Sequence, residues 1–84
     1  MKHANHVERY PGTLADLATE LGDLRYDALA TFLAALAAKL ADDSTQDAAR
    51  GRAKLAVALT VASGAVADAA GAIGRAWAIC EPHM

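Results

Sequence analysis

Hydrophobic and polar positions along this chain alternate on a helical, not a strand, period. Leu14, Leu17 and Leu21 recur three to four residues apart after Pro11-Gly12, a turn signal. Thr13, three residues before Asp16, supplies a capping-box start, so a short helix is predicted over about 13–21. Tyr26, Leu29, Leu33, Leu36 and Leu40 follow in 3-4-3-4 spacing, a heptad seam, and predict a second helix over about 23–42, with Phe32 widening its apolar face. Asp42-Asp43-Ser44 reads as the end of that helix, because acids at a helix C-terminus oppose its dipole. Ser44-x-x-Asp47 reads as the cap of a third helix over about 45–80, ended by Glu81-Pro82. Whether the first two helices run together through Gly22 is left open by the pattern.

The third helix holds the most unusual stretch. Between Lys54 and Arg75 the chain carries a single charge, Asp68. A helix apolar on nearly every side needs cover on nearly every side. Two stripes run along it. One carries the large residues: Ala48, Arg52, Leu55, Leu59, Ala62, Val66, Ala69, Ile73, Ala76 and Cys80. The other is small throughout: Ala56, Thr60, Ser63, Ala67, Ala70, Gly74 and Ala78. The large stripe is expected to face the second helix, leaving the small stripe, which permits close backbone approach, as the interface with a second copy. Asp68 is expected to pair with Arg75 or Arg25.

The expected architecture is therefore all-α and single-domain over 1–84. Residues 1–12 are irregular, a helical hairpin is preceded by a short extra N-terminal helix, and two copies form a four-helix-bundle-like dimer. The second helix lies antiparallel on the first half of the third; the first helix covers part of the other half, near Trp77. Leu33, Leu36, Leu59 and Val66 form the expected core. At 84 residues one core stabilises a domain only weakly, and reinforcement comes from disulfides, metal or oligomerisation.

Composition narrows the choice. The single cysteine, Cys80, excludes a disulfide framework within the chain and favours a reducing, cytoplasmic setting. The first residues lack the apolar run of a signal peptide. The net charge of −2 and a densest basic cluster of only Arg50, Arg52 and Lys54 disfavour nucleic acid as partner. A membrane span over 55–74 has suitable length but is disfavoured by Asp68 and by its alanine and glycine content.

Two constellations carry candidate chemistry. Asp16, Glu20, Asp23 and Asp27 would share one face of a helix continuous through Gly22, and clustered carboxylates can hold Mg²⁺. Glu20-x-x-Asp23 and its neighbours resemble the acidic helices of all-α nucleotide pyrophosphohydrolases of the MazG-like class. That resemblance implies a Mg²⁺-dependent hydrolase as the alternative function. Such enzymes draw acids from two helices, and the third helix here offers only Asp68. His3 and His6 with Cys80 and His83 form two short ligand pairs of the type that builds a tetrahedral zinc site; no tight site is expected, since neither segment shows preorganisation. No nucleophilic triad or phosphate loop is present in the sequence, and no catalytic or cofactor-binding residue is assigned. The leading expectation is a small non-enzymatic homo-oligomer that acts as an interaction, scaffold or regulatory module.

Overall fold

The structure, a computed structural model, describes residues 3–84; positions 1 and 2 of the expected irregular segment lie outside them. It is all-helical. Helix α1 spans Leu14–Gly22, α2 spans Tyr26–Ala49 and α3 spans Ala53–Cys80, followed by a short 3₁₀ turn at Glu81–His83.

Helix α1 starts where its capping box lies. Thr13 Oγ1 accepts from the Asp16 amide at 3.0 Å, and Asp16 Oδ2 accepts from the Thr13 amide at 3.1 Å. The irregular segment before it folds back on this helix: the Tyr10 ring lies against Gly12, and its hydroxyl donates to the Glu20 carboxylate. None of the α1 residues is buried. The helix breaks over Asp23, Leu24 and Arg25, so α1 and α2 are separate elements.

Helix α2 does not end at Asp42. It continues to Ala49, and the hairpin turn falls at Arg50–Gly51–Arg52. The expected boundary at 42–45 fails because Asp42, Asp43 and Thr45 are satisfied inside the helix, and Ser44 by α3 across the hairpin. Lys39 Nζ donates to both Asp43 oxygens at 2.5 and 2.6 Å, Gln46 Nε2 to Asp42 at 2.9 Å, and Thr45 Oγ1 to the Ala41 carbonyl at 3.2 Å. These are pairs four residues apart, which support a helix. The true stop is a Schellman turn. The Arg52 amide donates to the Asp47 carbonyl at 2.8 Å, the Gly51 amide donates to Ala48 at 3.1 Å, and Gly51 takes φ +77. No other described residue has a left-handed φ. Arg52 adds a second tie, with Nη1 3.3 Å from the buried Asp47 carboxylate.

Helices α2 and α3 lie antiparallel and make the main tertiary contact of the chain. Their seam is narrow. Ser44 Oγ donates to the Ala56 carbonyl at 2.7 Å and shares a 2.7 Å hydrogen bond with Thr60 Oγ1. Seven residues back on α2 and seven forward on α3, Ser63 Oγ donates to the Ala37 carbonyl at 2.8 Å. One heptad further, the same register sets Ala30 opposite Ala70. The buried apolar residues are Ala37 at 5% and Ala56 at 7% exposure, and no large side chain is fully buried.

The seam draws on both stripes of α3. Ala56, Ser63 and Ala70 of the small stripe lie against α2, where small side chains let the two backbones close up, and Leu59, Val66 and Ile73 of the large stripe are half-buried beside them. On α2 the inward line is Ala30, Leu33, Ala37, Leu40, Ser44 and Asp47, one step round from the predicted seam. Leu36, expected in the core, is 36% exposed; Leu33, Leu59 and Val66 are half-buried.

The molecule measures 50 × 29 × 14 Å, little more than one layer of helices. Its radius of gyration is 15.2 Å, against about 12 Å for a compact chain of this length.

Candidate functional site

Each sequence-predicted site residue can now be placed. The four acids are occupied separately. Asp16 closes the α1 capping box, and Glu20 accepts from Tyr10. Asp23 is the C-cap residue of α1, beyond which the chain turns. Asp27 belongs to α2 and accepts two hydrogen bonds from Arg25, at 2.6 Å from Nε and 2.8 Å from Nη2. The break at 23–25 removes the shared helical face that a Mg²⁺ cluster would need.

The two zinc-ligand pairs are not brought together. His3 shares a cleft with Asp43, Asp47, Leu55 and Leu59 at the turn end of the hairpin. Cys80 lines a cleft at the other end, with Arg25 and Trp77. From Leu55 to Cys80 the helix rises about 37 Å. His6 Nδ1 lies 3.3 Å from Asn5 Oδ1, and His83 is exposed in the terminal 3₁₀ turn. Among the described residues no three His, Cys, Asp or Glu side chains gather as metal ligands would.

Of the seven small-stripe residues predicted as an interface, Ala56, Thr60 and Ser63 meet α2 of their own chain, and Ala70 and Gly74 are half-buried; Ala67 and Ala78 are exposed. Asp68 is exposed, and Arg25, one of its expected partners, is engaged by Asp27.

The open end of the hairpin is the most organised side-chain group that sequence reasoning missed. The Arg25 guanidinium stands 5.2 Å above the Trp77 ring while forking onto Asp27. The hydrogen bond from Arg25 holds the Asp27 carboxyl below the ordinary carboxylate range, and the same bond raises Arg25. Trp77 thus meets the α1–α2 junction, where the sequence reading expected α1 itself. The adjoining cleft, about 300 Å³, is bounded by Gly22, Tyr26, Cys80 and Met84 among others. The turn-end cleft is about 450 Å³ and mixes Lys39, Asp42, Arg50 and Arg52 with leucines. Both are open grooves of mixed polarity, unlike the enclosed, mainly apolar pockets that hold small ligands.

What stands out instead is uncovered apolar surface. Phe32 (39%), Leu36, Leu55 (45%), Val57, Val61 (68%) and Ile79 are all exposed. The stretch Ala53–His83 is the one described helix long and apolar enough to cross a membrane by length and composition. Fold and surface together define a small antiparallel helical hairpin with an alanine-rich seam and an incomplete core. Neither a family model, nor a curated protein, nor a solved structure matches the chain.

Proposed function

We propose that this chain is a small non-enzymatic homo-oligomeric protein, a helical interaction module that serves as scaffold or regulator in a cytoplasmic setting. One observation carries the reading: among the described apolar residues only Ala37 and Ala56 are buried, while aromatic, leucine and valine side chains stand in solvent on both long helices. Soluble monomers rarely leave large contiguous apolar patches open. A chain of this size gains little from one core, and a core whose large side chains are only half-buried gains less. A second copy supplies the missing layer and makes a four-helix-bundle-like dimer. The single cysteine accords with a reducing compartment.

Sedimentation velocity at micromolar concentration is the test. A dimer or larger species is expected; a clean monomer sinks the reading. A thermal-shift series with Mg²⁺, Mn²⁺ and Zn²⁺ addresses the hydrolase alternative, because a specific ligand raises the melting temperature by mass action. No shift is expected.

A further inference from the structure

We propose that two copies pack face to face through the large-residue side of the hairpin, antiparallel, with Leu36 close to the two-fold axis. This rests on the homo-oligomer reading and specifies its surface.

The area argues for a second copy as occupant. The chain exposes 6364 Å². A compact monomer of this mass exposes about 4,700 Å² by the usual scaling, so about 1,600 Å² is in excess. Two chains hiding that excess from one another bury about 3,200 Å² in total, the size of obligate homodimer interfaces.

The choice of face follows from the helical phase. Leu29, Leu36 and Asp43 fall in one line at heptad spacing along α2, with Phe32 beside them. Leu55, Leu59 and Val66 run along the corresponding flank of α3. Asp43 and Asp47 share the turn-end cleft with Leu55 and Leu59, with His3 and Lys39 also lining it, so the two flanks lie on one side of the hairpin. The opposite side of the seam carries Ala34, Ala41 and Thr45 on α2 and Gly64 and Gly71 on α3, which have little surface to hide. Val57 and Val61 lie beyond that opposite flank.

Paired charges flank the large-residue face. Asp47 pairs with Arg52 and Lys39 with Asp43 in the turn half, and Arg25 pairs with Asp27 at the open end. The apolar part lies between them, and Leu36 sits near the middle of α2. An isologous interface needs a patch complementary to itself about its centre. Antiparallel docking provides that: the apolar centres meet, the Asp47–Arg52 and Arg25–Asp27 pairs stay at the rim, and Lys39 and Asp43 enter already neutralised by one another.

Two substitutions and one cross-link decide it. Sedimentation equilibrium on Leu36→Glu is expected to show dimerisation weakened by about 100-fold or more, since each dimer would bury two uncompensated carboxylates. Circular dichroism should keep its helical signal. Val61→Glu should leave the association constant within about three-fold of the parent, as for a residue outside the contact. Should Leu36→Glu fail to fold, Leu36→Cys in a Cys80→Ser background takes its place. A short bis-maleimide should link that variant into covalent pairs, and should leave Val61→Cys in the same background unlinked. A parent dimer that survives Leu36→Glu, or that links through Val61→Cys and not Leu36→Cys, overturns the face while leaving the homo-oligomer reading intact. A monomeric parent overturns both. A monomer that co-sediments with phosphatidylcholine vesicles assigns the apolar surface to lipid and likewise overturns the proposal.

Discussion

The Ser63 hydroxyl donates to the Ala37 carbonyl across the hairpin at 2.8 Å, which holds the α2 and α3 backbones close at the midpoint of the seam. The contact explains why small residues line it: at this approach there is space for a methyl or a hydroxymethyl group and little more. Ser44, one heptad towards the turn, repeats the arrangement with Ala56 and Thr60. The register of the hairpin is thus fixed by hydroxyl-to-carbonyl bonds as well as by apolar contact.

Ala37→Leu should therefore harm the fold more than Leu36→Ala does in the dissociated chain. Overpacking a tight seam costs about 1–3 kcal/mol, whereas truncating a side chain already 36% exposed removes less buried surface. Ser63→Ala is milder, about 0.5–1.5 kcal/mol for one lost hydrogen bond. Urea unfolding of the three variants, in dilute solution where association is minimal, gives the order directly. A larger loss for Leu36→Ala than for Ala37→Leu would mean that the seam runs one residue further round α2.

The turn makes a second prediction. Gly51 has φ +77, and a Cβ built there meets nothing within 4 Å. Any cost of Gly51→Ala is thus backbone strain, not crowding, and should be about 1–2 kcal/mol, the penalty of a left-handed conformation for an L-residue. Gly51→Asn, whose side chain tolerates that region, should recover part of the loss. Equal melting temperatures for the alanine variant and the parent would show that the turn re-forms without the Schellman geometry.

Helix α3 is continuous through Gly64, Gly71 and Gly74, although glycine is a poor helix former. Gly64 has open space at its Cβ position. Gly64→Ala should then stabilise the chain by about 1 kcal/mol, the propensity difference between the two residues in a helix interior. It lies off the proposed two-fold face, so the molecular mass in solution should not change. A fall in melting temperature would indicate that another chain or segment approaches the backbone at Gly64.

The helical class, the capping box at Thr13 and the presence of a hairpin were legible because each rests on local pattern. The position of the turn was not. Asp42-Asp43-Ser44 has the residue types of a loop, yet Lys39 and Gln46 satisfy the two acids within one helical turn and Ala56 and Thr60 of α3 satisfy Ser44. The only mark of the real stop was a single glycine, Gly51, among several in the chain. The two stripes of α3 were legible as faces, but their depth was not. Periodicity identifies which residues share a face, whereas the closeness of two backbones decides that Ala56 and Ser63 enter the seam beside Leu59 and Val66. The acid series looked coherent only on a helix unbroken through Gly22. The Arg25–Trp77 pairing joins residues too far apart in the chain for spacing to announce it.

That pairing gives the last prediction, on pH. Asp27 accepts both hydrogen bonds of the Arg25 fork, and its carboxyl titrates below the ordinary range. A depressed folded-state pKa contributes stability that is present above the unfolded value, about 3.9 for aspartate, and is lost as pH falls through the folded value. Arg25 shifts upward from a value already far above neutrality, so it adds no dependence at working pH. The pair is exposed, and salt screens its contribution. Its geometry nonetheless has a direct reporter, because Trp77 is the sole tryptophan and the Arg25 guanidinium stands over its ring. Fluorescence followed downward from about pH 7 should stay level and then change below about pH 4 as Asp27 takes up its proton and releases the fork. Asp27→Asn should show the released signal across the whole range, with the acid step reduced. Arg25→Lys should shift the emission at every pH, because an ammonium neither forks onto the carboxylate nor stacks on the indole as a guanidinium does. An acid step of the same size and midpoint in Asp27→Asn and the parent would assign it to another carboxylate and detach Asp27 from the Trp77 environment.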